Sequence, residues 1–558
     1  MSALPGSLLK AQIGRAKLWF VVLLGGAILS AGLMGSCGGT GGASSSAPGA
    51  MKAASGSAVV LTYHNDNARS GQMLSESTLT PGSVNSANFG KLFTYDLDGQ
   101  PYAQPLYVSH VQIAGGTHNV LYVATEHDTV YALEADGMGS TPLWQVSFIN
   151  PDAGVTTVPC EDISDCTDLA PEIGITSTPV IDGGSGTLYV VARTKELSGG
   201  AASYVHRLHA LDITAGAEKF GGPVVLDASV AGTADDADGG QVRFDSFREL
   251  QRPALLLNNN VVYIGFSSLG EVTPFHGWVL GYDAKALRQA MVFNATPNGS
   301  DGGIWQSGGG PATDNGGNIF FVTGNGTFDA DSGGKDFGDS FIKLSPSGNV
   351  LDFFTPHDQQ ALSDDDRDLG SGGNLLIDQS GSHPHLAISA GKNGTIYVVD
   401  RDNMGHFHGN NDSVVQAIAG AFAGRAGNFS APVFWQDHVY FGGVHDAIKA
   451  FEVKSGGLST SPTSQSTKTF AYPGATMAIS ANGSSNGILW AMEMPDSNDR
   501  AVLHAYDATN LAKELYTSDQ AGGRDTLDAG VKFVVPTIAN GKVYVVGQGN
   551  IAAFGLLH

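Results

Sequence analysis

A unit of short apolar strands recurs eight times along the chain, and this period restricts the fold more than any other feature. Each unit opens near a proline, continues through a strand of the type "LYV" and a turn, and enters a strand of the type "VYALD". The units open at Pro105, Pro179, Pro253, Pro311, Gly373, Pro432, Met477 and Pro536. From Pro105 to Pro536 this gives about 62 residues a unit, longer than common propeller repeats.

Four-stranded units repeated eight times predict an all-β fold, an eight-bladed β-propeller that protects strand edges and leaves a central channel. The last unit ends at His558 after three strands, which would leave one sheet edge open. An apolar strand outside the repeats, "KLFTYDL" from Lys91 to Leu97, precedes the first unit. We expect it to supply the missing outer strand and close the ring, so that residues 58–558 form one propeller.

The N-terminus has the order of an export signal. A basic region precedes the apolar segment Leu18–Met34, and "GSC" then ends at Cys37. Small residues before a cysteine resemble a bacterial lipobox, which predicts cleavage after residue 36 and a lipid-modified Cys37. An ordinary signal peptide or a single membrane anchor is the alternative. Residues 37–57 are almost all Gly, Ser, Ala and Thr, as in a flexible tether. The folded part is therefore expected in the bacterial cell envelope, on the periplasmic side or outer surface.

The charge of the chain excludes one class of partner. The formal net charge is -24, and the first 36 residues contribute three basic residues and no acid, so cleavage would leave -27. A surface this acidic repels phosphate backbones and anionic lipid headgroups. We therefore expect no nucleic-acid partner, and membrane attachment only through the N-terminal lipid.

Two of the three cysteines, Cys160 and Cys166, lie close together in "PCEDISDC". In an oxidising compartment two neighbouring cysteines most simply form a disulfide. A zinc site would need further ligands, and none stands at metal-binding spacing nearby. We predict a disulfide between them.

The repeats "TVYALEADG", "RLHALDITAG" and "GTIYVVDRDN" resemble those of the quinoprotein alcohol dehydrogenases, eight-bladed propellers that bind pyrroloquinoline quinone. They also resemble bacterial quinone-repeat propellers without a demonstrated activity. The resemblance implies a calcium ion held by oxygen ligands, which acts as a Lewis acid on the quinone. It also implies a base close to the hydroxyl group of an alcohol or sugar.

Two acceptor residues carry the resemblance in the middle of the chain. Asn325 in "GNIFFVTGNGTFD" matches the asparagine that gives calcium an amide oxygen, although Asn-Gly is also a strong hairpin signal. Asp368, after "TPHDQQALSDDD", matches the catalytic base, which is also a calcium ligand. Arg367 replaces the family's tryptophan and would lower the pKa of Asp368 if the two side chains met. We expect Asp368 to point inward, and the three aspartates before Arg367 to be solvated.

Three further residues match family positions. Lys392 in "SAGKNGTIYVVDRDN" matches the cation that hydrogen-bonds the quinone oxygens, although a lysine beside a turn is usually just solvated. Trp305 in "GGIWQSGGGPATD" matches the tryptophan beneath the quinone, with blade packing as its alternative role. Glu196 in "VVARTKELSGG" matches the calcium-binding glutamate on very few residues. The family's adjacent-cysteine ring is not matched, because Cys160 and Cys166 are not neighbours.

Two functions follow from these residues. The first is an exported dehydrogenase that uses pyrroloquinoline quinone and Ca²⁺ to oxidise a small-molecule alcohol or sugar. The chain has no C-x-x-C-H haem motif, so electrons would pass to a separate acceptor such as a cytochrome. The second is a non-catalytic propeller, a tethered scaffold or binding module for an envelope protein, because fold alone does not determine function.

Overall fold

The computed structural model describes residues 58–163, 169–270, 272–422, 427–494 and 499–557. In these ranges the strands form eight sheets of four to six strands and one two-stranded ribbon. The prediction of an all-β fold is confirmed. The ribbon contains Ser229–Ala231 and Gln241–Arg243, and the α-helix is Gln359–Asp364. The 3-10 helices are Pro151–Ala153, Cys160–Asp162, Gln306–Gly308, Ala330–Ser332, Leu369–Ser371 and Ser518–Asp525.

The first four sheets follow one another along the chain. Sheet 1 contains Val59–Val60, Leu106–Ile113, Gly116–Ala124, Thr129–Glu134 and Trp144–Ser147. Sheet 2 contains Val155–Pro159, Glu172–Ile173, Val180–Asp182, Thr187–Ser198, Ala201–Asp212 and Val224–Val225. Sheet 3 contains Glu249–Leu250, Leu256–Asn258, Val261–Ser268, Trp278–Asp283 and Gln289–Asn294. Sheet 4 contains Ala312–Thr313, Ile319–Val322, Phe341–Leu344 and Val350–Phe354.

The remaining sheets include two strands from the N-terminal part of the chain. Sheet 5 contains Leu375–Asp378, His385–Ala390, Ile396–Asp400 and Gln416–Ile418. Sheet 6 contains Val433–Trp435, His438–Gly442, Asp446–Lys454, Gly457–Leu458 and Ser464–Phe470. Sheet 7 contains Gln72–Met73, Thr476–Asn482, Ser485–Glu493, Val502–Asp507 and Asn510–Thr517. Sheet 8 contains Phe89–Asp96, Thr537–Ala539, Lys542–Gly547 and Asn550–Leu556.

Each sheet has a first strand, which is the one at the opening of its sequence repeat, and a second strand that pairs with it. The first strands are Leu106–Ile113, Val180–Asp182, Leu256–Asn258, Ala312–Thr313, Leu375–Asp378, Val433–Trp435, Thr476–Asn482 and Thr537–Ala539. Most connections within a sheet are antiparallel and local, as the alternation of short strands and turns predicts.

The tyrosine of the "LYV" motif joins neighbouring sheets. In four sheets its hydroxyl donates a hydrogen bond to the carbonyl directly after the third strand of the next repeat. The bonds run from Tyr122 to Ile213, Tyr189 to Ala284, Tyr440 to Ala508 and Tyr544 to Ala135, at 2.8 to 2.9 Å. The last of these joins sheet 8 to sheet 1. A recurring sequence letter therefore has one recurring structural role.

The apolar core lies between consecutive sheets. Separate buried clusters join sheets 2 and 3, sheets 3 and 4, sheets 4 and 5, sheets 5 and 6, sheets 6 and 7, and sheets 7 and 8. A further cluster contains Tyr122 of sheet 1, Leu188 of sheet 2 and Tyr544 of sheet 8. The packing of the described sheets is therefore cyclic.

The outer strand of sheet 8 comes from the N-terminal part of the chain. Phe89–Asp96 pairs antiparallel with Asn550–Leu556, from Phe89 opposite Leu556 to Asp96 opposite Asn550. Lys91 to Leu97 is the segment to which the sequence assigned this position. The pairing leaves the C-terminal strand with a neighbour on each side, because Lys542–Gly547 pairs with its other edge.

Residues 58–76, which we call the collar, run past the first strands of the sheets. Val59 and Val60 pair with sheet 1, and the carbonyls of four later collar residues accept backbone hydrogen bonds from the second residue of a first strand. These bonds join Leu61 to Ile181, Asn67 to Thr313, Ala68 to Leu376 and Ser70 to Phe434, at 2.8 to 2.9 Å. Further bonds reach sheet 3 from the Asn67 side chain, sheet 7 from Gly71 and sheet 8 from Glu76. The collar therefore touches all eight sheets.

Arg69 anchors the collar at the centre of the sheets. Its guanidinium is fully buried and donates to the carbonyls of Pro311, Leu255 and Tyr63. Tyr63 packs with small residues that precede the first strands of sheets 3, 6 and 8. Tyr63 therefore fills space between the starts of these three first strands, and we call the region on which the first strands converge the hub. No helix in the described residues is both long enough and apolar enough to cross a membrane.

Candidate functional site

The predicted site residues lie on loops at corresponding ends of sheets 4 and 5. Trp305 and Asp368 each stand seven residues before the first strand of their sheet. Asn325 and Lys392 each follow the end of the second strand, by three and two residues. Because first and second strands are antiparallel, the start of one and the end of the other lie at the same edge. This geometry brings residues that are distant in sequence together.

Asp368 is the centre of the site. Its carboxylate accepts the Asn325 backbone N–H at 2.8 Å through Oδ1, and its Oδ2 lies 2.6 Å from Lys392 Nζ. The Lys392 N–H also donates to the Asp368 carbonyl at 3.0 Å. Asp368 is only 6% exposed, so its side chain points inward. The structure thus brings Asn325, Asp368 and Lys392 into direct contact.

Lys392 carries a firmly held positive charge. Its Nζ lies 2.6 Å from Asp366 Oδ1 as well as from Asp368. Burial by itself would lower the pKa of Lys392, but the carboxylates of Asp368 and Asp366 outweigh burial and raise the pKa. The ammonium group is therefore a hydrogen-bond donor at neutral pH and does not act as a base.

The acidic loop before Asp368 contains exposed aspartates, some of which form ion pairs or hydrogen bonds. Asp364, Asp365 and Asp366 are exposed, and Arg367 forms its ion pair with Asp365 at 3.3 Å. Among the described residues Arg367 therefore pairs with Asp365 at the surface and forms no ion pair with Asp368. Asp366 is exposed as expected, and in addition it accepts hydrogen bonds from Lys392 and from the Asn325 side chain.

Two aspartates that sequence reasoning missed lie close to Asp368: Asp339, which is buried, and Asp301, which is partly buried. Asp339 accepts the Leu369 N–H at 3.0 Å, and burial raises its pKa well above the ordinary value, with Asp368 raising it further. Burial also raises the pKa of Asp301, and Asp368 contributes in the same direction. Repulsion from Asp368 favours the protonated forms of Asp339 and Asp301. The site therefore contains several carboxyl groups beside one ammonium group, and the pKa values of Asp339 and Asp301 lie above their ordinary value.

Glycines let Trp305 and Asp368 approach each other. A Cβ atom on Gly324 would lie 2.3 Å from Asp368 Oδ1 and 2.9 Å from the Trp305 ring, and a Cβ on Gly303 would lie 3.0 Å from Trp305 Nε1. Phe275 meets the indole edge-on, with ring centroids 6.3 Å apart. Trp305 is held by these contacts but stays half-buried. It is placed to offer a flat ring surface beside Asp368.

Glu196 is not brought together with the other predicted residues. It lies near the end of strand Thr187–Ser198, where it forms an ion pair with Arg207 and accepts a hydrogen bond from Thr194 at 3.0 Å. The hydrogen bond from Arg207 is the main reason that the pKa of Glu196 is lowered. Its carboxylate is satisfied within sheet 2, so its match to a calcium ligand has no support in these contacts.

The cysteines are described only in part. Cys160 is buried and disulfide-bonded. Its predicted partner Cys166, and the predicted lipidation site Cys37, lie outside the described residues. The pairing and the lipid anchor stay predictions.

The oxygen atoms around Asp368 fit a calcium ion in part. Asn325 Oδ1 and Asp301 Oδ1 are buried and have no hydrogen-bond partner among the described residues. Buried oxygens normally have a partner, so these two are candidates for metal ligands. Across the described ranges, however, no group of three or more His, Cys, Asp or Glu side chains is arranged to hold a metal. Calcium takes six to eight oxygens. Asn325, Asp368 and Asp301 would therefore supply some ligands, and Lys392 would have to yield its place on Asp368.

Solved structures that this chain resembles in fold include alcohol and methanol dehydrogenases. The europium-containing methanol dehydrogenase matches with a TM-score of 0.57 and 13% identity, over 89% of this chain and 98% of that one. The quinohemoprotein alcohol dehydrogenase of Comamonas testosteroni matches with a TM-score of 0.53 and 15% identity, over 89% and 80%. The fold is a quinoprotein-like β-propeller.

A further match is the quinohemoprotein alcohol dehydrogenase of Pseudomonas putida HK5, with a TM-score of 0.51 and 14% identity, over 89% of this chain and 80% of that one. No protein family model and no curated protein matches the sequence. At these identities the quinoprotein-like propeller fold is established, and the chemistry has to be argued from the residues themselves.

Proposed function

We propose that the protein is an exported quinoprotein-type dehydrogenase that oxidises an alcohol or sugar with pyrroloquinoline quinone and Ca²⁺. The observation that carries the proposal is the direct contact of Asn325, Asp368 and Lys392. The three were assigned from separate sequence segments. Their convergence supports a preserved cofactor-type site at the hub.

The proposed architecture is a closed ring of eight blades, one from each sheet, with Phe89–Asp96 completing the last blade. The cyclic packing and the pairing of that strand support it. Residues 1–36 would be a lipoprotein-type signal peptide and residues 37–57 a tether. Cys37 would then anchor the propeller in the bacterial cell envelope, outside the cytoplasm.

Each site residue has a role in this proposal. The bound quinone would supply the acceptor for the hydride of the substrate carbon, with calcium as a Lewis acid. Asp368, held in place by its contact with Lys392, takes the proton of the substrate hydroxyl. Asn325 and Asp368 contribute oxygens to the calcium ion, and Trp305 offers its ring face to the planar quinone. Electrons would leave to a separate acceptor such as a cytochrome.

Reconstitution tests the proposal. Purified protein is titrated with the quinone in the presence of Ca²⁺, and binding and dye-linked oxidation of alcohols and sugars are measured. Asp368→Asn should retain quinone binding but lose oxidation by about a hundredfold or more, as expected for loss of a general base. Asp364→Asn, on the exposed part of the same loop, is the matched control and should retain activity. Oxidation that survives in Asp368→Asn would contradict the assigned role.

The second candidate is a non-catalytic propeller that binds an envelope protein. One observation favours it: the Lys392 ammonium group already lies 2.6 Å from both Asp366 and Asp368, so the place beside Asp368 that a calcium ion would need is taken by a side chain. The same titration separates the two functions. Absence of saturable quinone binding, with the protein folded, would leave the scaffold as the supported function.

A further inference from the structure

Arg252 differs from the other buried arginines of the described chain. The guanidinium groups of Arg69, Arg193 and Arg401 each donate at least one hydrogen bond to a backbone carbonyl. Arg252 is only 9% exposed, and among the described residues its guanidinium makes no hydrogen bond and no ion pair, although it is close enough to Glu126 to lower the pKa of that carboxyl. A cation this buried without a hydrogen-bonded partner is unfavourable, so a ligand that supplies an anionic partner would bind here favourably.

The surroundings of Arg252 are aromatic. Its Cζ lies 4.7 Å from the Phe533 ring centroid and 5.9 Å from that of Tyr102. Phe533 in turn stacks on Phe429 at 6.5 Å, and Phe429 meets Tyr472 edge-on at 5.4 Å. Cation–π contacts stabilise the charge in part, but they leave the hydrogen-bond donors of the guanidinium unused.

These five residues occupy corresponding positions in different sheets. Tyr102, Arg252, Phe429, Tyr472 and Phe533 each stand four residues before the first strand of sheets 1, 3, 6, 7 and 8. Because Arg252 of sheet 3 reaches Phe533 of sheet 8, the guanidinium extends across the hub. The equivalent residues of the other three sheets are small: Thr176, Gly308 and Ser371.

The three small residues leave space in which a ligand would lie. Gly308 and Ser371 belong to the loops that carry Trp305 and Asp368. The bulky residues Phe429, Tyr472 and Phe533 come from the consecutive sheets 6, 7 and 8, and Phe429 and Tyr472 are half-buried. The cations beside these rings are Arg252, next to Phe533, and Lys532, whose Nζ lies 5.3 Å from the Tyr472 ring centroid. We propose that Arg252 binds a carboxylate group of a planar aromatic ligand, whose ring packs against the Phe429–Phe533 side of the hub. A guanidinium fork matches a carboxylate through two parallel hydrogen bonds, which fixes orientation as well as charge.

The test uses the purified full-length protein and isophthalate, a planar aromatic dicarboxylate, as the probe in isothermal titration calorimetry. Saturable binding is expected, with no binding of the neutral analogue isophthalamide. Arg252→Met should weaken isophthalate binding by about tenfold or more, and Arg252→Lys should weaken it less because lysine keeps the charge but lacks the fork. Arg288→Met removes an exposed arginine of the same sheet and should leave the affinity unchanged.

Thermal unfolding without ligand provides an independent readout. At pH 5, below the pKa of about 7 of Glu126, Arg252→Met should unfold at the same or a higher temperature, because Glu126 is then largely uncharged and methionine removes a buried cation while keeping much of the volume. A clear loss of thermal stability would mean that the guanidinium has a structural partner, and would overturn the proposal. Equal binding of isophthalamide, unchanged affinity in Arg252→Met, or no isophthalate binding to the wild type would also overturn it. If Arg252→Met does not fold, Phe533→Leu tests the same site from the aromatic side.

A second arm identifies the source of the carboxylate, since both pyrroloquinoline quinone and an acidic substrate carry one. Displacement of isophthalate by the quinone would assign the site to the cofactor. Binding of both together would assign it to a separate acidic ligand. If the quinone does not bind but isophthalate does, the proposed dehydrogenase function fails and the carboxylate site stands.

Discussion

Replacing Glu126 with glutamine should stabilise the protein at pH 8 and leave its stability at pH 4 nearly unchanged. Glu126 is 1% exposed, and its Oε2 accepts hydrogen bonds from the Gly174 N–H at 2.7 Å and the Thr176 hydroxyl at 3.1 Å. Its other oxygen has no partner among the described residues. Burial raises the pKa of Glu126 from 4.5 to about 7, although these two hydrogen bonds and Arg252 oppose the rise.

The size of the effect follows from linkage. Between pH 4.5 and 7 the folded state binds more protons at Glu126 than the unfolded state, so stability falls as the pH rises through this window. Each pKa unit corresponds to about 1.4 kcal/mol, which makes the penalty at pH 8 about 3 kcal/mol. Glutamine resembles the protonated acid and can keep both accepted hydrogen bonds. Below pH 4.5 both states of the wild type are protonated, and the difference disappears.

Urea unfolding of the wild type and Glu126→Gln at pH 4, 6 and 8 measures this difference directly. Other titrating groups contribute to both proteins and largely cancel. Glu161→Gln, at an exposed position, is the control and should show no pH-dependent gain. A gain that is the same at all three pH values, or a loss of stability at pH 8, would refute the reasoning, because the benefit has to follow the ionisation of Glu126.

Three other predictions concern the collar, the glycine packing and the coupling of Glu126 to Arg252. Arg69→Met should lower the free energy of unfolding by at least about 3 kcal/mol in urea titrations, because it leaves several buried carbonyls without a donor; wild-type stability would contradict it. Gly324→Ala should weaken quinone binding by about tenfold or more through displacement of Asp368 and Trp305, whereas Gly523→Ala, with open space around its Cβ, should not. Arg252→Met should raise the folded-state pKa of Glu126, seen as a stability gain of Glu126→Gln that levels off at higher pH and at a larger value, because Arg252 lowers the pKa of Glu126; an unchanged final gain would contradict this coupling.

The sheets could be predicted because the repeats carry their own signals. The tyrosine of "LYV" recurs in the sequence and makes the same bond between sheets, so one pattern specifies both the strand and its packing. The collar has no such signal. Its contacts with the sheets use the backbone carbonyls of Leu61, Asn67 and Ala68, which any residue could supply. A segment that binds through its backbone is hard to recognise in the sequence, because these contacts do not restrict its side chains.

The site could be predicted only where residues follow the repeat. Asn325, Asp368 and Lys392 meet because they stand at corresponding strand ends, which the repeat period locates. Glu196 was assigned from a few letters in a long hairpin, and its carboxylate pairs with Arg207 instead. Asp339 was not predicted, because its burial depends on loops that pack only in the folded chain. The sequence alone does not distinguish a buried aspartate from a solvated one.

The buried acids and the collar act on stability in opposite directions. Burial raises the pKa values of Glu126, Asp128, Asp301 and Asp339. Ionisation of any of these acids therefore lowers the free energy of unfolding. The collar holds the first strands through hydrogen bonds that do not depend on pH in this range. Because the acids lie on loops at the sheet edge where those first strands begin, the collar can keep them buried despite their repulsion. Such a division, with unfavourable charges at the site and compensating bonds elsewhere, is what a functional centre requires of its scaffold.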